Sequence, residues 1–304
     1  MERSRTLNQS EQHQSSSKRL NKLDWGLLLV LGAVVAWLYY RSSVGVNYHW
    51  QWEKAVDLIF TPRADGSLPY FFQGLVATLR LSLWGILLAL VLGTILGIAR
   101  HSKVMLVRIP ANLFVQLVRN IPQLVFIFIF YFFISNQLIP LLGLEEVLRG
   151  NRAEPNVLQL FLFGPVNLWE NLLSGVLCVG LLSSAYVAEV VRSGLMAVPK
   201  GQWEAADSLG LSFWTKYRYV IAPQVLASIT PALAGQAISL VKDTSIVSLI
   251  SIQEMTFAGT EIANSSGLIF EIWLIVGLVY FLLCFGLSLL FKKVEKRSLR
   301  HLFH

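Results

Sequence analysis

Gln236, Glu189, Asn120 and the run Lys242-Asp243-Thr244 are polar side chains that fall inside or at the ends of long apolar stretches. Groups so placed do their chemistry by pairing and passing ligands, because an ionisable side chain at membrane depth is expensive and marks a functional site by default. Gln236 stands mid-stretch between Pro231 and Lys242. Its amide offers a donor and an acceptor to a zwitterionic or amide ligand. A hydrogen bond to a neighbouring helix, worth about 0.6 kcal/mol on average in membranes, is an equal reading. Lys242-Asp243-Thr244-Ser245 closes its stretch either as a neutralised pair anchoring a helix end or as part of a pathway. Glu189 is a pathway candidate that is also spaced to pair with Arg192 one turn on. Asn120 belongs to Arg119-Asn120-Ile121-Pro122, where Pro122 cannot donate to a helix ladder and marks an irregularity. Arg119 there reads as a boundary residue reaching toward headgroups.

Bond-making chemistry has no carrier in this sequence. There is no G-x-x-x-x-G-K-[ST] loop to cradle phosphates, no H-E-x-x-H and no His-Cys cluster. The five His are scattered through tails and loops, and Cys178 and Cys284 both fall in apolar stretches as packing residues. No catalytic residue, metal site or cofactor is therefore expected in this chain.

The elements that hold the polar groups are membrane spans. The chain has 304 residues, 55% hydrophobic and 14% charged, against about 25% charged in an average soluble domain. The net charge of +7 sits in blocks beside apolar stretches, the positive-inside pattern and not a nucleic-acid stripe. Residues 1–22 lack an apolar period and read as a cytoplasmic tail. Residues 23–69 hold a first span, Leu27–Tyr40, and an external loop with a surface helix around Gln51–Ile59. Gly32, Ala33 and Ala36 keep a signal peptide as the rival reading, but no A-x-A site is present.

Tyr70–Arg80 is expected along the interface, followed by a span at Leu81–Ala99, long enough to cross about 30 Å of hydrocarbon. Further spans are expected at Ile121–Leu144, Asn171–Ala188, Val220–Val241 and Ile272–Phe291, with residues 292–304 as a basic cytoplasmic tail. Glu145–Glu170 and the acidic stretch with Glu254, Glu261 and Glu271 read as external loops. The class is all-α: a polytopic membrane protein of about six spans with both termini cytoplasmic. No internal repeat is visible, which counts against a secondary transporter built from inverted halves.

Between the fourth and fifth spans lies a polar segment too long for a turn. Pro199 suits a helix start, Gly210 the position past a helix end where φ > 0 is needed, and Ser212 a second cap. The reading is a helix over Lys200–Leu209, a sharp turn, and a second helix toward Pro223. Glu204-Ala205-Ala206, then Gly210, then Pro223 give E-A-A-x3-G-x12-P. This resembles the EAA coupling loop of ABC importer membrane subunits, with Val220 where Ile is usual and Ala222 where Leu is usual. The flanks, Ala188–Gly194 and Val198–Gln202, look like polar amino-acid permeases.

The resemblance spans roughly Tyr70–Phe291. It implies a five-helix type I importer permease core at 70–291, its coupling loop at 192–222, with the first span an added anchor. It assigns Pro199, Gly201, Glu204, Ala205, Ala206, Gly210 and Pro223 to docking of a separate ATPase subunit, where ATP and Mg would act. Related permeases carry Glu or Gln at the place of Gln236, and Lys-Asp-Thr-Ser or Lys-Asn-Ser-Ser at the place of Lys242–Ser245. The implied partners are the ATPase, a second permease subunit (a heterodimer), a periplasmic amino-acid-binding protein and the bilayer of a bacterial inner membrane. Neutral, acidic or broad-range polar amino acids are the expected cargo. An ion-driven transporter working alone, or an importer of another polar solute such as an opine or quaternary amine, are the competing classes.

Overall fold

The computed structural model describes residues 22–45, 48–62, 66–143 and 156–300, and no strand occurs among them. Helix α1, Lys22–Gly45, contains the expected first span. Taken by itself, it leaves Leu29, Trp37 and Tyr40 exposed, as an apolar helix does when its solvent is lipid.

The unit that begins at Trp52 contains the remaining helices. Among the described residues, and leaving aside the single turn Ile139–Leu141, these are α2 (Trp52–Phe60), α3 (Tyr70–His101), α4 (Met105–Asn120), α5 (Gln123–Phe133), α6 (Val157–Phe163), α7 (Trp169–Ala197), α8 (Lys200–Ser208), α9 (Phe213–Lys216), α10 (Ala222–Asp243), α11 (Met255–Ser266) and α12 (Ile269–Arg300). Five helical stretches among the described residues are long and apolar enough to cross a membrane, and α4 with α5 make a sixth if that pair, bent by 119°, is one broken span. The chain is a multi-pass membrane protein.

Several elements differ from expectation. Tyr70–Arg80 does not lie apart along an interface: it is the first third of α3, which runs unbroken to His101. Residues 105–120, which no expected span covers, form α4, with Ala111, Val115 and Val118 buried on one face and Leu106, Leu113 and Leu117 exposed on the other. The span expected at Ile121–Leu144 starts at Gln123, because Ile121 is extended (φ −90°, ψ 138°) as the residue before a proline must be. The external loop at 145–170 lies partly outside the described residues; its second half folds as α6 and the start of α7. The acidic loop beyond residue 244 is a 3-10 turn, Thr244–Ile250, followed by α11. Each miss has one cause: a short amphipathic or half-apolar helix carries too weak a period to stand out beside long spans.

Two π turns, Ile134–Leu138 and Tyr217–Ile221, end just ahead of Pro140 and Pro223. Each proline lacks an N–H and crowds the carbonyl four residues back, and the extra residue of a π turn relieves both problems.

The core is the contact of α3 with α7. Buried positions on α3 recur as Gly74, Thr78, Ser82, Gly85, Ala89, Gly93 and Gly97, a stripe of small residues that lets helix backbones approach. A Cβ on Gly93 would stand 2.5 Å from Val187 Cβ, and one on Gly97 would stand 2.7 Å from Val191 Cβ and 2.9 Å from the Ala188 carbonyl. The opposite side of α3 exposes Leu79, Leu83, Leu87, Val91, Ile95 and Ile98, a stripe tolerable only against lipid or another subunit. Gly97→Val should therefore lower stability by about 1–3 kcal/mol through overpacking. The measurement is the melting temperature of the purified chain, and an unchanged value would contradict the close approach.

Candidate functional site

The 199–223 segment folds as its punctuation predicts. Pro199 occupies the cap position before α8. Gly210 adopts φ 65°; its N–H donates to Asp207 O at 2.9 Å and the Leu211 N–H to Ala206 O at 3.2 Å. This pair of bonds is the Schellman closure, which satisfies the last helix carbonyls and needs a left-handed residue at that point. Ser212 Oγ accepts from the Thr215 N–H at 3.3 Å and starts α9. Lys216 Nζ bridges to Asp207 across the turn.

Of the α8 residues, Ala206 faces inward (2% exposed), while Gly201, Glu204 and Ala205 are exposed. Trp203 seats the helix against the bundle, its ring 5.4 Å edge-on from Tyr217 and 5.9 Å from His101. Gln202 Oε1 accepts from Gln224 Nε2 at 3.3 Å, joining α8 to the start of α10 beside Pro223. Leu209, Phe213 and Trp214 project outward at 77%, 68% and 72% exposure. The result is a polar-apolar knob, joined through the chain to spans α7 and α10.

Directly behind it, Glu189 collects three arginines. Its Oε2 accepts from Arg100 Nη1 and Arg119 Nη1, both at 2.8 Å, and its Oε1 from Arg192 Nε at 3.1 Å and Nη2 at 2.5 Å. Arg100 also donates from Nε to Asn112 Oδ1 at 2.7 Å. Arg192 was the partner expected from helix spacing. Arg100 on α3 and Arg119 on α4 were not, since they lie 89 and 70 residues away in sequence. Arg119, expected to reach toward headgroups, instead turns to Glu189 and lies over the Tyr186 ring at 5.8 Å. One carboxylate thus ties α3, α4 and α7 together at the end of the bundle that carries α8.

The other candidates lie apart from this cluster. Asn120 is exposed at the end of α4 and bonds back to Gln116 O at 2.8 Å. Gln236 is half-buried and faces a narrow crevice that it shares with Ser183, Val187 and Leu240. The Ser183 hydroxyl is buried there without a partner among the described residues. No hydrogen bond ties the Gln236 amide to another helix among the described residues. Lys242 is exposed and Asp243 half-buried, and they do not bridge to each other or to any other described residue. Thr244 is buried, its hydroxyl donating to Val241 O at 2.7 Å.

Sequence reasoning passed over Glu254, which it placed in an external loop with Glu261 and Glu271. Glu254 and Glu271 are fully buried. Glu254 caps α11, its Oε1 accepting from the Phe257 N–H at 2.8 Å, while Oε2 accepts from Tyr280 Oη at 2.8 Å and Thr78 Oγ1 at 3.2 Å. Three helices, α3, α11 and α12, meet on that side chain. Glu254 three residues before Phe257, at the head of an apolar-periodic run, was the available signal.

Burial pushes the Glu254 carboxyl up from its usual range, against the hydrogen bonds that pull it down. A carboxyl raised in the fold contributes stability that is full below its unfolded pKa and is lost as pH rises through the raised folded value. Glu254→Gln should therefore flatten the decline of stability as pH rises above the ordinary carboxylate range, while keeping the α11 cap. Melting curves from acidic pH upward check this, and an unchanged slope would remove Glu254 as its source.

A knob joined to two spans, in a bundle of apolar helices, suits a transporter's membrane component. The chain belongs to the family of binding-protein-dependent transport system inner membrane components, whose model matches residues 85–300. Members are permease subunits and not themselves enzymes, and the EAA segment is typical of them. The chain is 30% identical over 251 residues, 83% of its own length and 97% of the relative's, to YckA of Bacillus subtilis (strain 168), a probable amino-acid ABC transporter permease protein. It is 29% identical over 231 residues, 76% of this chain and 94% of the other, to GlnP of Escherichia coli (strain K12), a glutamine transport system permease protein. The crystal structure of an amino acid ABC transporter with histidines matches with a TM-score of 0.59 at 28% identity, over 75% of this chain and 94% of that one.

Proposed function

We propose that this chain is the membrane-spanning subunit of an ATP-driven importer of polar amino acids. The observation that carries the reading is α8 with its Schellman turn. It is an exposed, rigid element whose two ends are continuous with α7 and α10, so a push on it moves spans. A separate ATPase, acting with Mg and ATP, docks on Glu204, Ala205 and the Gly210 turn. Its closure rocks the bundle between two states, a bistable switch and not a chemical step. A second permease subunit completes the pathway, and a periplasmic amino-acid-binding protein delivers cargo. Both termini and α8 lie on the cytoplasmic side. Relatives that carry names for glutamine and for glutamate/aspartate transport support cargo of neutral or acidic side chains.

Uptake of labelled glutamine by the reconstituted complex, competed by the other natural amino acids, tests the reading. No ATP-dependent uptake of any amino acid would overturn it. Within that assay Gln236 is the selective residue. Gln236→Glu should raise uptake of Arg or Lys relative to Gln and Glu, since opposite charge counts for several-fold more at low dielectric than in water. Gln236→Leu should lower uptake of polar substrates generally. An unchanged substrate ranking at equal complex abundance would take Gln236 out of the pathway.

A further inference from the structure

Arg80 lies on α3 roughly 30 Å along the helix from His101, at the end of the bundle away from α8. Its Nε donates to Phe161 O and its Nη2 to Leu160 O, both at 2.7 Å. Trp84 Nε1 donates to Leu162 O at 3.0 Å and Trp169 Nε1 to Gly164 O at 2.9 Å. The carbonyls at the end of α6 are thus answered by side chains of α3 and α7, as helix ends require. All of these acceptors are neutral. No carboxylate among the described residues bridges to Arg80, so none of them neutralises its charge.

A guanidinium has five N–H donors in a fixed fork, and Nη1 makes no hydrogen bond among the described residues. Room for that nitrogen exists because residue 164 is glycine, at φ 77°, where a Cβ would stand 3.0 Å from Nη1. Beside it opens a cavity of about 460 Å³, bordered by Arg80, Gln73, Gln253, Tyr70 and Ser67 among apolar walls. That volume lies in the range of small-molecule sites, roughly 300–1,000 Å³. Gln73 Nε2 is held by Ser67 Oγ at 3.1 Å and Leu68 O at 2.7 Å, which leaves its amide oxygen to accept. Gln253 is exposed at the rim and makes no hydrogen bond among the described residues.

We infer that Arg80, Gln73 and Gln253 form an entry subsite that takes the carboxylate of a zwitterionic solute on the free Arg80 edge, with the two amides receiving its other polar groups. This rests on the reading of the chain as an amino-acid importer subunit. A lipid phosphate offers the same oxyanion to a guanidinium fork. The solute carboxylate is assigned because two amides share the cavity with the cation.

The test uses the complete transporter in phosphatidylcholine vesicles, with Leu68→Cys at the cavity edge and 2-sulfonatoethyl methanethiosulfonate as the label. The parent chain labelled in parallel gives the background from Cys178 and Cys284. L-Glutamine should slow labelling of residue 68 several-fold, and 4-aminobutanamide, which lacks the carboxylate, should not. Arg80→Gln should raise the glutamine concentration needed for protection at least roughly tenfold, the loss expected for a charge-assisted hydrogen bond. Because Arg80 also holds α6, Gln73→Leu is the second variant: it leaves the α6 contacts in place and should weaken protection as well. Equal protection by both compounds, or unchanged protection in both variants, overturns the subsite. So does labelling that ignores glutamine but slows when phosphatidylglycerol is added, which assigns the oxyanion to a headgroup. Normal glutamine import without protection defeats only the subsite, whereas failure of all amino-acid import defeats the functional reading beneath it.

Discussion

Ala205→Arg should abolish substrate uptake by the assembled transporter while leaving the chain folded and inserted. Ala205 is exposed on α8, next to the buried Ala206 that seats the helix, so a long side chain there meets solvent and not the bundle. On the proposed reading, the damage falls on docking alone. A misplaced charge in a protein interface costs several kcal/mol, and even about 2 kcal/mol is roughly a thirtyfold loss of affinity. Gly210→Val should act in the same direction by another route. It forces a β-branched residue to φ 65°, a left-handed conformation costing about 1–2 kcal/mol, and opens the Schellman turn. Pull-down of the ATPase with melting of the permease measured in parallel checks both. Wild-type ATPase capture and uptake with both changes present would dismiss α8 as the docking element.

Replacing Glu189 with Leu should be the most destabilising single change in the bundle. Arg100, whose side chain is only 5% exposed, would lose its counter-charge in a place where water cannot replace it. Removing one partner of a buried pair costs about 3–5 kcal/mol. Arg119 and Arg192 are more exposed, at 39% and 30%, and contribute less because water screens them. The double change of Glu189→Leu with Arg100→Met should recover part of the loss, since an apolar pair of similar volume does not leave a buried charge alone. A double-mutant cycle on denaturation midpoints isolates that coupling. Strict additivity of the two changes would show that the pair does not hold α3 to α7.

The functional class was legible through the resemblance that Glu204-Ala205-Ala206, Gly210 and Pro223 carry, and the shape of the 199–223 segment in the residues themselves. Proline before a helix, glycine at its left-handed exit and serine at the next cap act over fewer than about five residues. Pro199, Gly210 and Ser212 therefore specify their turn with no help from the rest of the chain. The spans are equally local, because an uncharged apolar stretch must be helical in hydrocarbon to satisfy its own backbone. The small-residue stripe of α3 was present in the sequence as well, but which helix it would face was not.

What only the tertiary structure decided depends on groups far apart in the chain. Glu254 reads as a solvent-facing acid until Thr78, 176 residues earlier, and Tyr280 close around it. Glu189 reads as half of a one-turn pair until Arg100 and Arg119 arrive from other helices. Arg80 reads as the last residue of an interfacial stretch until α6 packs beside it and a cavity opens at its edge. The sequence alone determined where the helices begin and turn, since hydrogen bonding along a helix and burial in lipid are settled within each segment. The tertiary structure decided which polar groups are neutralised and which remain free to bind, since charge pairing depends on distance in space and not on distance along the chain.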